Sequence, residues 1–258
     1  MKSLLDKTRA INRVLQTAAG KPVDFTEVAG VLRDNIEANV YIIGNRGQIL
    51  GHAFMNSFFC EGINEIVAKM DFPGGFNSNM LAITQTSANI QAHEPVCFFQ
   101  IEGKRCQLDY KMVSVVPIVG AGDRLGTLVL GKISGEFSDG DLILAEYGAT
   151  VVAMEILRSR SDQLEEVARR KAAVQVALAS LSYSEREAVE HIFAELEGSE
   201  GLLIASKIAD RVGITRSVIV SALRKFESAG VIESKSLGMK GTYIRVLNEN
   251  LINQLQGL

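Results

Sequence analysis

Cysteine and histidine are scarce. The 258-residue chain has three of each: Cys60, Cys97 and Cys106, and His52, His93 and His191. An odd, sparse set of cysteines without C-x-x-C spacing builds no disulfide framework. No two histidines lie three or four residues apart, so no zinc site is expected and the histidines read as packing or surface. Long apolar runs are missing too. No stretch of about 18 uncharged apolar residues exists to span a membrane. The opening Met1-Lys2-Ser3-Leu4-Leu5-Asp6 lacks the apolar stretch of a secretory signal. A cytoplasmic location and no membrane partner are expected. What is present is globular: 47% hydrophobic and 22% charged residues, enough for a core and for one large or two smaller domains at roughly 150 residues each.

Charge is divided along the chain. The formal net charge is −3, yet residues 201–258 carry eight basic and four acidic residues, +4, against −7 for residues 1–200. A basic tail piece on an acidic body suggests a local polyanion-binding module.

Apolar spacing predicts helices over 3–18 and 25–37, then a hairpin of strands 39–44 and 48–53 around Asn45-Arg46-Gly47. Residues 62–70 read as helix and 71–75 as loop. Strands follow at 96–101 and 111–119, the latter forming a hairpin with 124–132 through Gly120-Ala121-Gly122-Asp123. The order is that of an α+β small-molecule sensing domain with an antiparallel sheet. From Asp139 a helical period runs through Leu144, Val151, Leu164, Val174 and Leu181 without Pro or Gly beyond 148. It is one long linker helix or two helices broken near Ser159–Asp162. Ser182-Tyr183-Ser184-Glu185 fits a capping box that starts the next helix. Domains are expected at 1–137 (sensing), 138–181 (linker helix) and 182–258.

Residues 201–212 read as helix, Gly213-Ile214 as a tight turn, and Thr215–Phe226 as a second helix. Small Ala209 and apolar Ile208, Val212, Ile214, Val218 and Leu223 let two short helices cross closely, as in a helix-turn-helix. Thr215 stands at the N-cap of the second helix. Arg216, Ser217 and Ser221 would point outward toward base edges and phosphates. Residues 231–236 and 242–246 flank a basic turn and form a two-stranded wing. Lys235, Lys240 and Arg245 there suit the sugar-phosphate backbone. The structural alternative is a winged helix that binds protein.

Ala205–Arg224, Glu227–Glu233, Ser236–Tyr243, Leu142–Val152 and Leu4–Arg9 together resemble the CodY family of pleiotropic transcriptional regulators of low-GC Gram-positive bacteria, over essentially the whole chain. The resemblance implies a GAF-type effector-sensing domain, a long linker helix and a winged helix-turn-helix. It implies a homodimer, or a higher oligomer, on an AT-rich pseudo-palindromic operator in double-stranded DNA. It also implies response to isoleucine, leucine or valine and to GTP, and mainly repression of nutrient and amino-acid metabolism genes. DNA contacts are expected from Ala205, Ser206, Thr215, Arg216, Ser217, Val218, Ser221, Arg224, Lys225, Lys235, Ser236, Lys240 and Tyr243. The effector pocket falls on Gly62, Ile63, Ile66, Phe72, Pro73, Phe76, Cys97, Phe99 and Gln100. The aromatics among them read equally as plain core. Counted without gaps from Phe72-Pro73, the family's carboxylate-binding arginine falls at Gly62, Cys97 replaces a threonine and Gln100 a proline. Lys104 or Arg105 would substitute for the arginine only through a different loop. GTP contacts fall on Arg46, Glu155 and Arg160. No covalent cofactor, metal or catalytic residue is expected.

Two other function classes remain at this stage. An enzyme on the N-terminal domain would need a nucleophile–base or metal constellation, which the scattered Cys and His residues do not supply. A constitutive DNA-binding protein whose sensing domain serves only dimerisation is consistent with Gly62.

Overall fold

The computed structural model describes residues 3–17, 22–55, 61–91, 112–196 and 198–255. The strand predicted at 96–101 lies outside them, as do Cys60, His93, Cys97, Phe99, Gln100, Lys104, Arg105 and Cys106. Two compact units divide the chain, residues 1–160 and 161–258.

The first unit starts with helices α1 (Leu4–Thr17) and α2 (Phe25–Ile36), then strands β1 (Asn39–Gly44) and β2 (Ile49–Ala53). Helices α3 (Glu61–Lys69) and α4 (Gly74–Leu81) follow, then β3 (Ser87–Ile90), β4 (Met112–Gly120) and β5 (Asp123–Lys132). Helix α5 (Asp139–Ala179) begins here and runs on into the second unit. The strands form one antiparallel sheet in the order β2-β1-β5-β4-β3.

Side-chain alternation places both cores. Val40 and Ile42 of β1 share one face with Leu128, Leu130, Val116 and Ile118, under α1, α2 and the start of α5. Tyr41 and Ile43 face the other way, with Val129, Val113 and Val115, under α3 and α4. Tyr41 pairs with Val129, which pairs with Val115, so one row crosses the sheet. All of β1 is buried, as expected for a sheet covered on both faces. A Cβ at Gly148 would lie 2.9 Å from Leu32 Cδ1; the glycine lets α5 approach α2 closely, at some cost in helix propensity.

Two elements here depart from the sequence reading. Residues 71–75 are not all loop, because Gly74 and Gly75 form the first turn of α4. Strand β3 was not foreseen. Of the two linker alternatives, the structure has one unbroken helix of 41 residues. Its start is anchored: Asp141 accepts from Lys132 Nζ at 2.8 Å and from the Ser138 amide at 3.1 Å. Burial alone would raise the Asp141 pKa; these hydrogen bonds outweigh it and hold the carboxyl lower.

The second unit adds α6 (Tyr183–Glu195), β6 (Glu200–Leu203), α7 (Ala205–Val212), α8 (Arg216–Ser228), β7 (Ile232–Ser236), β8 (Thr242–Val246) and α9 (Asn250–Leu255). The predicted capping box is present. Ser182 Oγ accepts from the Glu185 amide at 3.3 Å, and Glu185 Oε2 accepts from the Ser182 amide at 2.7 Å. Residues 201–203, predicted as the start of a helix over 201–212, belong instead to the strand β6. β6 pairs with β8 to make a three-stranded sheet, β6-β8-β7. Val189, Ile192, Ile208, Ile219, Phe226 and Ile244 close the core between this sheet and the helices.

Candidate nucleic-acid interface and effector cleft

Helices α7 and α8 meet at Gly213, whose φ of 74° reverses the chain as only glycine does without strain. The amides of Gly213 and Ile214 both donate to Ala209 O, at 3.0 and 3.1 Å. Ala205, Ile208, Ala209, Ile219, Ala222, Leu223 and Phe226 are buried. That inward stripe leaves Arg216, Ser217 and Arg224 of α8 exposed. Ser206, Lys235, Ser236 and Lys240 are exposed as well, the last three on the wing. Cations and a hydroxyl beside a helix N-terminus, with a basic wing, suit a polyanion.

Other expected contacts sit differently. Thr215 occupies the N-cap position of α8 but caps nothing with its side chain; its hydroxyl pairs with the Ser217 hydroxyl at 2.7 Å. Ser221 does not point outward. It is half-buried and its hydroxyl donates to Glu185 Oε1 at 2.7 Å. Lys225 Nζ donates to Glu185 Oε2 at 2.6 Å and to Ser180 O at 2.8 Å. Val218 packs against the core and Ala205 is buried within it. Tyr243 is half-buried, and its hydroxyl bond to Glu200 raises its pKa. Arg245 lies 3.8 Å from the same carboxylate. A groove of about 600 Å³ beside α8 gathers Ser217, Ser221, Arg224 and Lys225 with Val176 and Ser180.

Glu185 is the residue that sequence reasoning gave only a capping role. Its carboxylate receives hydrogen bonds from Lys225, the Ser182 amide and Ser221, which lower its pKa from 4.5 to about 2. It therefore ties the start of α6 to the inner face of α8.

In the first unit, a cleft of about 680 Å³ opens between α3 and the start of α4. Gly62, Ile66, Phe72, Pro73 and Phe76 all line it, while Ile63 is fully buried. Phe72 and Phe76 stack with centroids 5.1 Å apart, and Tyr41 meets Phe72 edge-on at 6.0 Å. The floor is thus aromatic and apolar. Its mouth carries Glu65, Lys69 and Asp71, charged groups absent from the sequence expectation. An apolar cleft with charged groups at its rim suits a small amphipathic ligand. Arg46 is exposed at the β1–β2 turn. Glu155 binds Arg158 Nε at 3.0 Å, and Arg160 is exposed. Among the described residues, no hydrogen bond or ion pair joins Arg46 to Glu155 or Arg160. His52 is half-buried beside Phe54, ring centroids 5.0 Å apart, and burial lowers its pKa. Among the described residues, no cluster of three metal-ligating side chains occurs, and no helix is long and apolar enough to cross a membrane.

Comparison with known proteins accounts for both halves. The model of the CodY GAF-like domain matches residues 3–180, and that of the CodY helix-turn-helix domain matches residues 199–258. The chain belongs to the CodY family. The global transcriptional regulator CodY of Clostridium botulinum (strain Okra / Type B1) is 56% identical over 257 residues, 99% of this chain and 99% of that one. The CodY of Anoxybacillus flavithermus is 56% identical over 256 residues, 99% of this chain and 98% of that protein. A solved structure, the cofactor binding GAF domain of the nutrient sensor CodY from Clostridium difficile, is 37% identical. It covers 60% of this chain and 99% of its own, with a TM-score of 0.42. The chain is accordingly a transcriptional regulator, not an enzyme, with a CodY-type GAF sensing domain and a helix-turn-helix DNA-binding domain.

Proposed function

We propose that this CodY-family chain is a cytoplasmic, homodimeric repressor of nutrient and amino-acid metabolism genes whose DNA affinity is set by a small effector in the GAF cleft. Residues 1–137 sense, 138–181 link and 182–258 bind DNA. The observation that carries the DNA reading is the exposed Arg216, Ser217 and Arg224 on α8 beside the basic wing residues Lys235 and Lys240. One recognition helix reads one half-site, so a pseudo-palindromic, AT-rich operator asks for two copies. Ser206 and Ser236 add backbone contacts. Thr215, Val218, Ser221, Lys225, Ala205 and Tyr243 act by holding that surface in shape.

The apolar floor of Ile66, Phe72 and Phe76 favours a branched-chain amino acid, isoleucine first. With Gly62 on the wall, the rim groups Glu65, Lys69 and Asp71 supply the charge complement for its ammonium and carboxylate. GTP is assigned to Arg46, Glu155 and Arg160. The test is fluorescence anisotropy of a labelled AT-rich palindromic duplex titrated with protein, with and without isoleucine, at fixed salt, because phosphate contacts make affinity steeply salt-dependent. Tighter binding with isoleucine is expected. Tight binding indifferent to isoleucine removes the effector assignment and leaves the DNA assignment standing. No preference for the palindrome over random duplex removes both.

A further inference from the structure

Arg124 is the second residue of β5. Its guanidinium is half-buried, and its four acceptors are uncharged oxygens. Nε donates to Gly126 O at 2.7 Å, one terminal nitrogen to Ile83 O, and the other to Met80 O at 3.1 Å and Thr127 Oγ1 at 3.0 Å. Met80 and Ile83 bracket the C-terminal end of α4. A cation spending its donors on main-chain carbonyls fixes a helix end in place, since bonds from a charged donor are among the stronger ones.

The other end of α4 is also tied. Asn77 Nδ2 donates to Asn45 O at 3.1 Å, and the Asn45 amide donates to Leu125 O at 3.0 Å. The Phe72 amide donates to Gly47 O at 2.9 Å. Helix α4 carries Phe76, a wall of the cleft. The Arg124 tie thus ends on β5 itself, whereas the Asn77 tie ends on the β1–β2 turn and reaches β5 only through the Asn45 amide on Leu125 O. That hairpin abuts α5: a Cβ at Gly120 would lie 2.9 Å from both Leu125 Cδ1 and Leu157 Cδ1.

We propose that Arg124, assisted by Asn77, is a positioning residue that transmits occupancy of the cleft through α4 to the β4–β5 hairpin and α5. The inference rests on the effector reading above. A ligand against Phe76 shifts α4; Arg124 ties the C-terminal end of α4 to β5, and Asn77 ties α4 through Asn45 to Leu125 of the same strand; the β4–β5 hairpin moves against Ala153 and Leu157. A ligand changes an output only by favouring one of two arrangements, and the Arg124 bonds couple the position of the hairpin to that of α4.

The test uses the full chain and isoleucine as probe. Isoleucine binding is read by calorimetry and operator affinity by anisotropy, for wild type, Arg124→Met, Arg124→Lys and Asn77→Ala. In wild type, isoleucine should tighten operator binding about 10-fold, within the usual range of coupling between sites. In R124M, isoleucine should still bind and ligand-free operator affinity should stay the same, but the tightening should fall below about 2-fold. R124K and N77A should lie between. A residue that merely stabilises the fold would lower the melting temperature without separating binding from response. R124M that binds isoleucine and keeps the full tightening overturns the proposal alone. Wild type that binds the operator but neither binds isoleucine nor responds to it overturns the effector reading and the proposal together. Should R124M fail to fold by circular dichroism, R124K and N77A decide: full tightening in both overturns the proposal, and reduced tightening in both supports it.

Discussion

Replacing Glu185 by glutamine should loosen α8 at neutral pH and leave it little changed in acid. Glu185 is 6% exposed and its pKa falls from 4.5 to about 2, with Lys225 the largest cause. At about 1.36 kcal/mol per unit, that difference is worth about 3 kcal/mol above the unfolded value. Lys225 keeps 37% of its side chain exposed, so solvent screens the pair and the figure is a ceiling. Glutamine also retains hydrogen bonds to Ser182 and Ser221. The expected loss is therefore about 1–2 kcal/mol, or roughly five- to thirtyfold in the opening equilibrium. The sign with pH follows from a depressed carboxylate. Its stabilisation is complete above about pH 4.5 and disappears as pH falls through about 2. Hydrogen-exchange mass spectrometry of the full chain, corrected for intrinsic rates, should show faster exchange in peptides covering 183–195 and 216–228 in E185Q at pH 7. The gap to wild type should narrow below pH 4.5. Equal protection at pH 7, or a gap that stays constant down to pH 3, refutes the reasoning.

Arg216→Ala should weaken operator binding and flatten its salt dependence by about 0.9 in log–log slope, one phosphate contact's worth. Lys225→Ala, whose Nζ is occupied by Glu185 and Ser180, should leave that slope unchanged; a slope change equal to that of R216A would show Lys225 free to meet phosphate. Phe76→Ala, which empties a side chain 1% exposed, should destabilise the first unit by about 3–5 kcal/mol, read as a lowered melting transition of that unit in calorimetry. Gly126→Ala should also lower that transition, because its Cβ would lie 2.2 Å from Ile43 O in the middle of the sheet; an unchanged melt would show that β1 and β5 can part without cost.

What the sequence revealed follows distance along the chain. The Ser182–Glu185 box is contained in four residues and could be read directly. So could the β1–β2 hairpin; for the linker, the sequence left one long helix or a break near Ser159–Asp162 open, although no Pro or Gly after 148 interrupts the period. Strand β6 was misread because Leu202-Leu203 suits either element and its partner, β8, lies about forty residues on. Gly74-Gly75 disguised α4, since glycine is a poor helix former held here by Phe76 and Met80 in the core. Ser221 and Lys225 looked available for DNA because Glu185, 36 and 40 residues away, gives no local signal. Arg124 gave no signal either: main-chain carbonyls carry no residue type. The cleft floor could be read from its aromatics, whereas its charged rim depends on how the end of α3 and the turn after it place Lys69 and Asp71.

Strand β1 is committed on both sides, with Tyr41 and Ile43 beneath the cleft and Val40 and Ile42 beneath the helices. No position on it faces water where mutation is cheap. Enlarging or shrinking the ligand chamber from below would disturb the middle of the sheet, where changes in volume are felt at once. New ligand preferences can arise far more cheaply at the rim. Glu65, Lys69 and Pro73 are exposed there, on a helix face and a turn that can change residue by residue. The architecture thus confines the diversification of sensing to the lip of the cleft and keeps the barrier between ligand and output helices constant.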